Sequence, residues 1–176
     1  MKTIKTIGLT IIFTSLCLNF SQAQTQGTSQ ISIGYGRLSL YEFVNTIFED
    51  TESSGVFNLG YKYAIKNRFM IGANISYEEL KATTNFSNIF GSSDPTINEF
   101  SNITIAIETD YRYISKPSFQ MYSGIGLAYF TTGEYDTNFS FQGTALGFRV
   151  GKKLAAYAEL GFGYKGIAQI GASYQF

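Results

Sequence analysis

Apolar and polar residues alternate with period two along most of this chain, and eight segments carry that pattern. Ile31, Ile33 and Tyr35 alternate with Ser32, Gly34 and Gly36; Phe57, Leu59, Tyr61 and Tyr63 alternate with Asn58, Gly60, Lys62 and Ala64. The third segment sets Phe69, Ile71, Ala73, Ile75 and Tyr77 against Met70, Gly72, Asn74, Ser76 and Glu78. The fourth, the cleanest, sets Ile103, Ile105, Ile107, Thr109, Tyr111 and Tyr113 against Asn102, Thr104, Ala106, Glu108, Asp110 and Arg112. The fifth opposes Phe119, Met121, Ile125, Leu127 and Tyr129 to Gln120, Gly124, Gly126 and Ala128, with Tyr122 and Phe130 as large residues on the second face. In the sixth, Leu146, Phe148 and Val150 oppose Gly143, Ala145, Gly147 and Arg149, while Phe139 and Phe141 break phase, which signals a bulge or a late strand start. The seventh opposes Ala156, Ala158, Leu160, Phe162 and Tyr164 to Tyr157, Glu159, Gly161 and Gly163. The eighth places Ile170, Ala172, Tyr174 and Phe176 opposite Gln169, Gly171, Ser173 and Gln175. Successive side chains of a strand point to opposite faces, so each segment predicts a strand with one apolar face.

The connections alternate in length. Ile65 to Asn67, Ser115 to Ser118 and Gly151 to Lys153 read as tight turns carrying Lys66, Lys116, Lys152 and Lys153. Between them lie long stretches at 37–54 and 81–98, a shorter one at 132–138, and a tight link at Lys165 and Gly166. Leu40 to Phe48 suits a short helix within the first long stretch. Short turns on one side and longer loops on the other predict an eight-stranded antiparallel up-and-down barrel, crossing a membrane with strands of about 9 to 11 residues and leaving both termini on the short-turn side.

Both ends of the chain fit a secreted membrane barrel. Lys2 and Lys5 precede an apolar run from Ile7 to Leu18, followed by Asn19 to Ala23, which predicts a secretory leader over residues 1–23 and a mature domain over 24–176. The run is shorter than the ~20 residues a spanning helix needs. Cys17 follows Leu16, where a lipid-attachment box would want a small residue, and it is the single cysteine of the chain, so the mature domain has no thiol for a disulfide, a nucleophile or a metal. The full chain carries 13 basic and 13 acidic residues, and loss of the two leader lysines leaves a slight acidic excess, which argues against nucleic acid as a partner. Sixteen Phe, 13 Tyr and 18 Gly against two Pro suit strands joined by turns.

Alternation alone also fits a soluble ligand-binding barrel of lipocalin type. The polar face argues against it: a soluble exterior would carry about 25–35% charged residues, and this face is mostly Gly, Ala, Ser, Asn and Gln. Aromatic residues of the apolar face gather toward strand ends. Tyr63, Phe69, Tyr111, Tyr113, Phe119, Phe148, Tyr174 and Phe176 fall on the short-turn side, and Tyr35, Phe57, Tyr77, Tyr129, Phe162 and Tyr164 on the loop side, as two interfacial girdles would.

On these features the chain from residue 24 resembles the small eight-stranded outer-membrane β-barrels, the OmpA-like and OmpX-like transmembrane domains. The last strand, with Ile170, Ala172, Tyr174 and the terminal Phe176, resembles the signature through which the barrel-insertion machinery reads such proteins. The resemblance implies the outer membrane of a Gram-negative bacterium as location and lipid as surroundings. No peptidoglycan-binding domain follows Phe176, so cell-wall tethering is not implied.

Candidate chemistry is limited by the complete lack of histidine, which removes His-based triads, Cys-His pairs and His-ligated metals. No catalytic, cofactor or metal site is predicted. The inward face offers instead a charge network: Lys62, Arg112 and Arg149 near the short-turn end, Glu108, Asp110 and Glu159 one or two layers higher, and Glu78 farther up. Eight strands enclose a lumen that side chains just fill, so these groups are expected to form a salt-bridged plug. Apolar side chains in the long loops, Tyr41, Phe43, Val44, Ile47 and Phe48 in 37–54 and Phe86, Ile89, Phe90 and Ile97 in 81–98, are expected to cover the barrel mouth or to meet a surface partner. The acidic run Glu49, Asp50 and Glu52 lacks the glycine turn and terminal Glu of a calcium loop and reads as solvated. The sequence thus predicts a non-catalytic outer-membrane barrel with a structural or surface-contact role, with a narrow ion or solute pore and a soluble lipocalin-like barrel as alternatives.

Overall fold

A computed structural model of the chain describes residues 26–43, 50–84, 87–88, 91–92, 96–132 and 137–176, with backbone only at 50–52, 82–84, 87–88, 91–92, 96–98, 132 and 137. Eight strands close into one barrel. They are β1 (Ser29–Arg37), β2 (Asp50–Lys66), β3 (Phe69–Thr84), β4 (Thr96–Lys116), β5 (Phe119–Thr132), β6 (Thr137–Gly151), β7 (Leu154–Gly163) and β8 (Ala168–Gln175). Each pairs antiparallel with the next, and β8 returns to β1 with Ile31 opposite Tyr174 and Ile33 opposite Ala172, so the sheet has no free lateral edge where all strands run together. A two-residue pairing, Ser87–Asn88 with Gly91–Ser92, lies outside the barrel.

Faces fall where alternation puts them. Ile33, Leu59, Ile75, Ile105, Ile107, Ile125, Leu127 and Ile170 point outward and are exposed, whereas Asn58, Lys62, Asn74, Ser76, Thr104, Glu108, Asp110, Gln142, Glu159 and Gln169 are buried inside. The predicted phase break in the sixth segment is a β-bulge. The register slips by one between Thr144 and Leu146, and the extra residue is Ala145. Upstream of it the odd positions Phe139, Phe141 and Gly143 face outward; downstream the even positions Leu146, Phe148 and Val150 do. Gly143 and Ala145, expected inside with Gly147 and Arg149, are therefore on the outer side. Phe139, 87% exposed, and Phe141 join the loop-side girdle instead.

Strand lengths depart from the expected 9 to 11 residues. β2 to β6 run 17, 16, 21, 14 and 15 residues, against 9, 10 and 8 for β1, β7 and β8. The stretches expected as loops at 37–54, 81–98 and 132–138 are consequently shorter, because strand pairing continues beyond the apolar belt. There the outward face turns charged: Glu79 and Lys81 on β3 and Glu99 on β4 follow Tyr77 and Ile103, and Lys81 pairs across the strands with Glu99 at 2.6 Å. With Glu79 and Lys81 outward and Leu80 buried inside, the apolar-out alternation that marks the strands below is lost. On β4 the outward run from Ile103 to Tyr113 rises about 25 Å at ~3.3 Å per residue and ~40° tilt, the height of a lipid-facing band.

A further correction concerns Tyr164. It was expected on the outer face, yet it is almost fully buried inside the barrel. Gly163 takes φ +144°, a left-handed-side conformation open to glycine, and ends β7; the turn that follows carries Tyr164 and Lys165 inward. The expected helix at 40–48 is described only as a helical turn at 40–43. Val44, Ile47, Phe48, Phe86, Ile89, Phe90, Glu49 and the leader with Cys17 lie outside the described residues, as do the side chains of Ile97, Asp50 and Glu52.

Candidate functional site

The inward side chains of neighbouring strands lie in register rows, and in each row a large residue faces a glycine. Lys62 on β2, Gly72 on β3 and Glu108 on β4 form one row. A Cβ on Gly72 would stand 1.9 Å from the Tyr61 carbonyl oxygen and 2.8 Å from Lys62 Cγ, so glycine is what lets β2 and its lysine stem lie this close to β3. Tyr122 on β5 likewise lies over Gly147 on β6, where a Cβ would meet the ring at 2.4 Å, and reaches Glu159 on β7 at 2.8 Å. Tyr157 crosses Gly171, where a Cβ would stand 2.6 Å from its ring, to take a 2.6 Å hydrogen bond from Gln169. This tiling of large over absent side chains fills the interior of a small barrel with side chains. Gly147→Ala is accordingly expected to destabilise the barrel by about 1–3 kcal/mol, the cost of overpacking. The same change in a Tyr122→Leu background is expected to cost much less, read as a double-mutant cycle of urea unfolding in lipid vesicles.

The tiles bring charges together at mid-lumen. Lys62 Nζ lies 2.8 Å from Asp110 and 2.8 Å from Glu108. Lys165, from the β7–β8 turn, lies 3.0 Å from Glu108 and 2.9 Å from Glu159, while its backbone N–H donates to Gln142 at 2.9 Å. The Tyr164 hydroxyl donates to Glu108. Three carboxylates thus share two ammonium groups in one chain, Asp110–Lys62–Glu108–Lys165–Glu159, and each of these charged side chains is buried.

Of the seven charges expected to form one plug, four do so: Lys62, Glu108, Asp110 and Glu159. Lys165, which the sequence reading placed in a bare turn, supplies the second cation. Arg112 and Arg149 are inside but have no carboxylate within ion-pair distance among the described residues. Arg112 donates to the Gln120 side-chain carbonyl and, at 2.9 Å, to that of Gln30, with its guanidinium 5.2 Å from the Tyr122 ring centre. Arg149 donates to Ser173 and to the carbonyls of Lys152 and Lys153 at 2.8–2.9 Å. Glu78 stands apart at the loop end, accepting from Ser39 and Ser53 hydroxyls at 2.7 Å. The guanidinium forks reach amide and backbone carbonyls because the carboxylates one layer up are already taken by lysines.

The loop-side mouth is stoppered from the first loop. Ser39 caps the helical turn, its Oγ accepting the Glu42 N–H at 3.0 Å, and the same hydroxyl donates to Glu78, which fixes the turn over the lumen. Tyr41 then packs on Ala106, Ala128 and Tyr164 and tilts against Phe130 at 4.4 Å between ring centres. Burial pushes its phenol up to about 12, so it stays neutral at any ordinary pH. Phe43 meets Phe162 edge-on at 6.2 Å and remains exposed. Tyr41 could be found in sequence only as an apolar loop residue; nothing marked it as the stopper. Among the described residues no group of His, Cys, Asp and Glu side chains is arranged to hold a metal. Ile170, Ala172, Tyr174 and Phe176 lie together on the outer face of β8, with the Tyr174 and Phe176 rings stacked at 6.0 Å.

No protein-family model matches the chain. No characterised protein matches it by sequence. Among solved structures, the N-terminal β-barrel domain of Pseudomonas aeruginosa OprF aligns over 87% of this chain and 100% of its own, with TM-score 0.53 and 13% identity. The Yersinia pestis outer membrane protein Ail aligns over 86% of this chain and 100% of its own, at TM-score 0.47 and 16% identity. A set of de novo designed transmembrane β-barrels includes a chain aligned over 88% of this one and 99% of its own, at TM-score 0.46 and 11% identity. The likeness to the OprF domain covers the whole barrel and shows a shared fold, the small closed eight-stranded barrel.

Proposed function

We propose that this barrel is an integral protein of a Gram-negative outer membrane, with a structural or cell-surface contact role and no catalysis. The observation that carries the reading is the exterior: a continuous apolar band, aromatic at both margins, bounded by Glu79, Lys81 and Glu99 above and by turns bearing Lys66, Lys116, Lys152 and Lys153 below. In water such a surface would be a severe aggregation hazard; in lipid it is the expected one. Residues 1–23 act in this reading as a cleaved leader, and Ile170, Ala172, Tyr174 and Phe176 present the terminal strand to the insertion machinery. A lumen packed with paired charges and rings supports a role other than conduction. β2 to β6 extend past the band on the loop side, and in this reading the segments 37–54 and 81–98 offer contact to a surface partner. Lack of histidine and a lumen closed by Tyr41 leave little room for a reaction site.

The test is electrophoretic. Protein extracted from outer-membrane fractions in mild detergent is expected to run faster unboiled than after boiling in SDS, because a closed barrel resists the detergent cold. Equal migration, with recovery in the soluble fraction, would sink the membrane reading and favour a soluble ligand-binding barrel.

A further inference from the structure

The short-turn end of the lumen holds two charges that no carboxylate among the described residues neutralises at contact distance. Arg112 and Arg149 are 0% and 1% exposed, and they lie within Coulombic reach of one another. A buried ion is costly unless it is paired and its hydrogen bonds are met. Both conditions are incomplete here. Arg112 Nε, Arg149 Nη1 and the nearby Ser115 Oγ are buried with no hydrogen-bond partner among the described residues. Ser115, Gln120 and Arg149 face inward in one register row across β4, β5 and β6, and Gln120 also accepts from Arg112. The unused groups therefore belong to one cluster, and they are donors.

The inward charges balance only over the whole lumen. Lys62, Arg112, Arg149 and Lys165 oppose Glu78, Glu108, Asp110 and Glu159, but the carboxylates sit at mid-lumen and at the loop end; the two lysines leave one carboxylate charge over at mid-lumen, and two guanidinium charges stand together at the short-turn end. We propose that this end is a binding site for a small inorganic anion, held between the Arg112 and Arg149 guanidiniums with the Ser115 hydroxyl as a third donor. Donors on three buried side chains suit a small monatomic ion, and chloride is the abundant one. Arg149 places the cluster beside the barrel rim, since its Nη2 donates to the Lys152 and Lys153 carbonyls of the short turn.

The full mature barrel, folded in a sugar-headed detergent without phosphate, is titrated with sodium chloride against sodium gluconate and sodium phosphate at matched ionic strength. Chloride is expected to raise the unfolding temperature saturably by about 5 °C, as a ligand of the native state does. It is also expected to show broadening of the chloride-35 resonance that vanishes in Arg149→Gln. Arg112→Gln is the second variant, and either one that folds serves. Equal stabilisation by all three salts would mean general screening and overturn the site, as would broadening that persists in both variants. Absence of any chloride effect would assign the unused donors to ordered water and overturn it as well.

Discussion

Lys62→Met is expected to be among the most damaging single changes in the barrel, lowering its unfolding free energy by about 3–5 kcal/mol, the usual cost of removing one partner from a buried ion pair. Lys62 Nζ is 2.8 Å from both Asp110 and Glu108, and among the described residues it is the one ammonium that contacts Asp110. Methionine keeps the length and most of the volume of the stem that crosses Gly72, so packing changes little and the loss is that of the charge. Glu108 retains Lys165 at 3.0 Å and the Tyr164 hydroxyl, whereas Asp110 is left as a carboxylate in a closed lumen. The stranded partner can be named, so the double variant Lys62→Met/Asp110→Asn is expected to recover about half of the loss or more. Urea unfolding in vesicles, followed by loss of the cold-SDS fast band, measures both. Equal instability of single and double variants would show that Lys62 acts through packing instead.

The contrast between Lys62 and Lys165 shows which parts of the lumen were legible in sequence. Lys62 lies in a long alternating run, and period two alone puts it on the same face as Asn58 and Gly60. Lys165 lies two residues beyond Gly163, where the backbone leaves the extended region, and a period-two reading carries no information past that point. The same turn reverses the expected face of Tyr164. At Ala145 the outcome was different: Phe139 and Phe141 stood out of phase with Leu146 and Phe148, and a one-residue slip is the only way to put both pairs on the apolar side. The glycines were visible as composition, but their function in the rows was not, because it depends on cross-strand register that places Gly72 beside Lys62 and Gly147 beside Tyr122. Strand ends were misjudged on the loop side for a physical reason. Above Tyr77 the outward positions Glu79 and Lys81 are charged, so the strand continues in pairing to Thr84 without the outward apolar face that revealed it below.

Ile107→Arg is expected to cost about 2–4 kcal/mol in a lipid bilayer, the penalty for a cation at mid-depth on a barrel's lipid face. Ile107 is 67% exposed, stands opposite Leu127, itself 76% exposed, and lies midway between Ile103 and Tyr111 on β4. Neither side chain is covered by protein, so the substitution breaks almost no internal contact and leaves the lumen row of Ala106 and Glu108 untouched. The two surroundings of this face therefore give opposite results from one change. In lipid the guanidinium must drag water and headgroups inward or stretch toward the margin. In water it gains hydration, and an exposed surface substitution stays within about 0.5 kcal/mol of neutral. Moving the arginine to Glu79, beyond the Tyr77 margin, is expected to reduce the cost to about 0–1 kcal/mol, since the penalty falls off toward the interface. Unfolding free energies of Ile107→Arg and Glu79→Arg in vesicles thus measure the depth profile directly. A flat profile would remove the lipid-facing band on which the membrane reading rests, even if the barrel itself proved closed and heat-resistant.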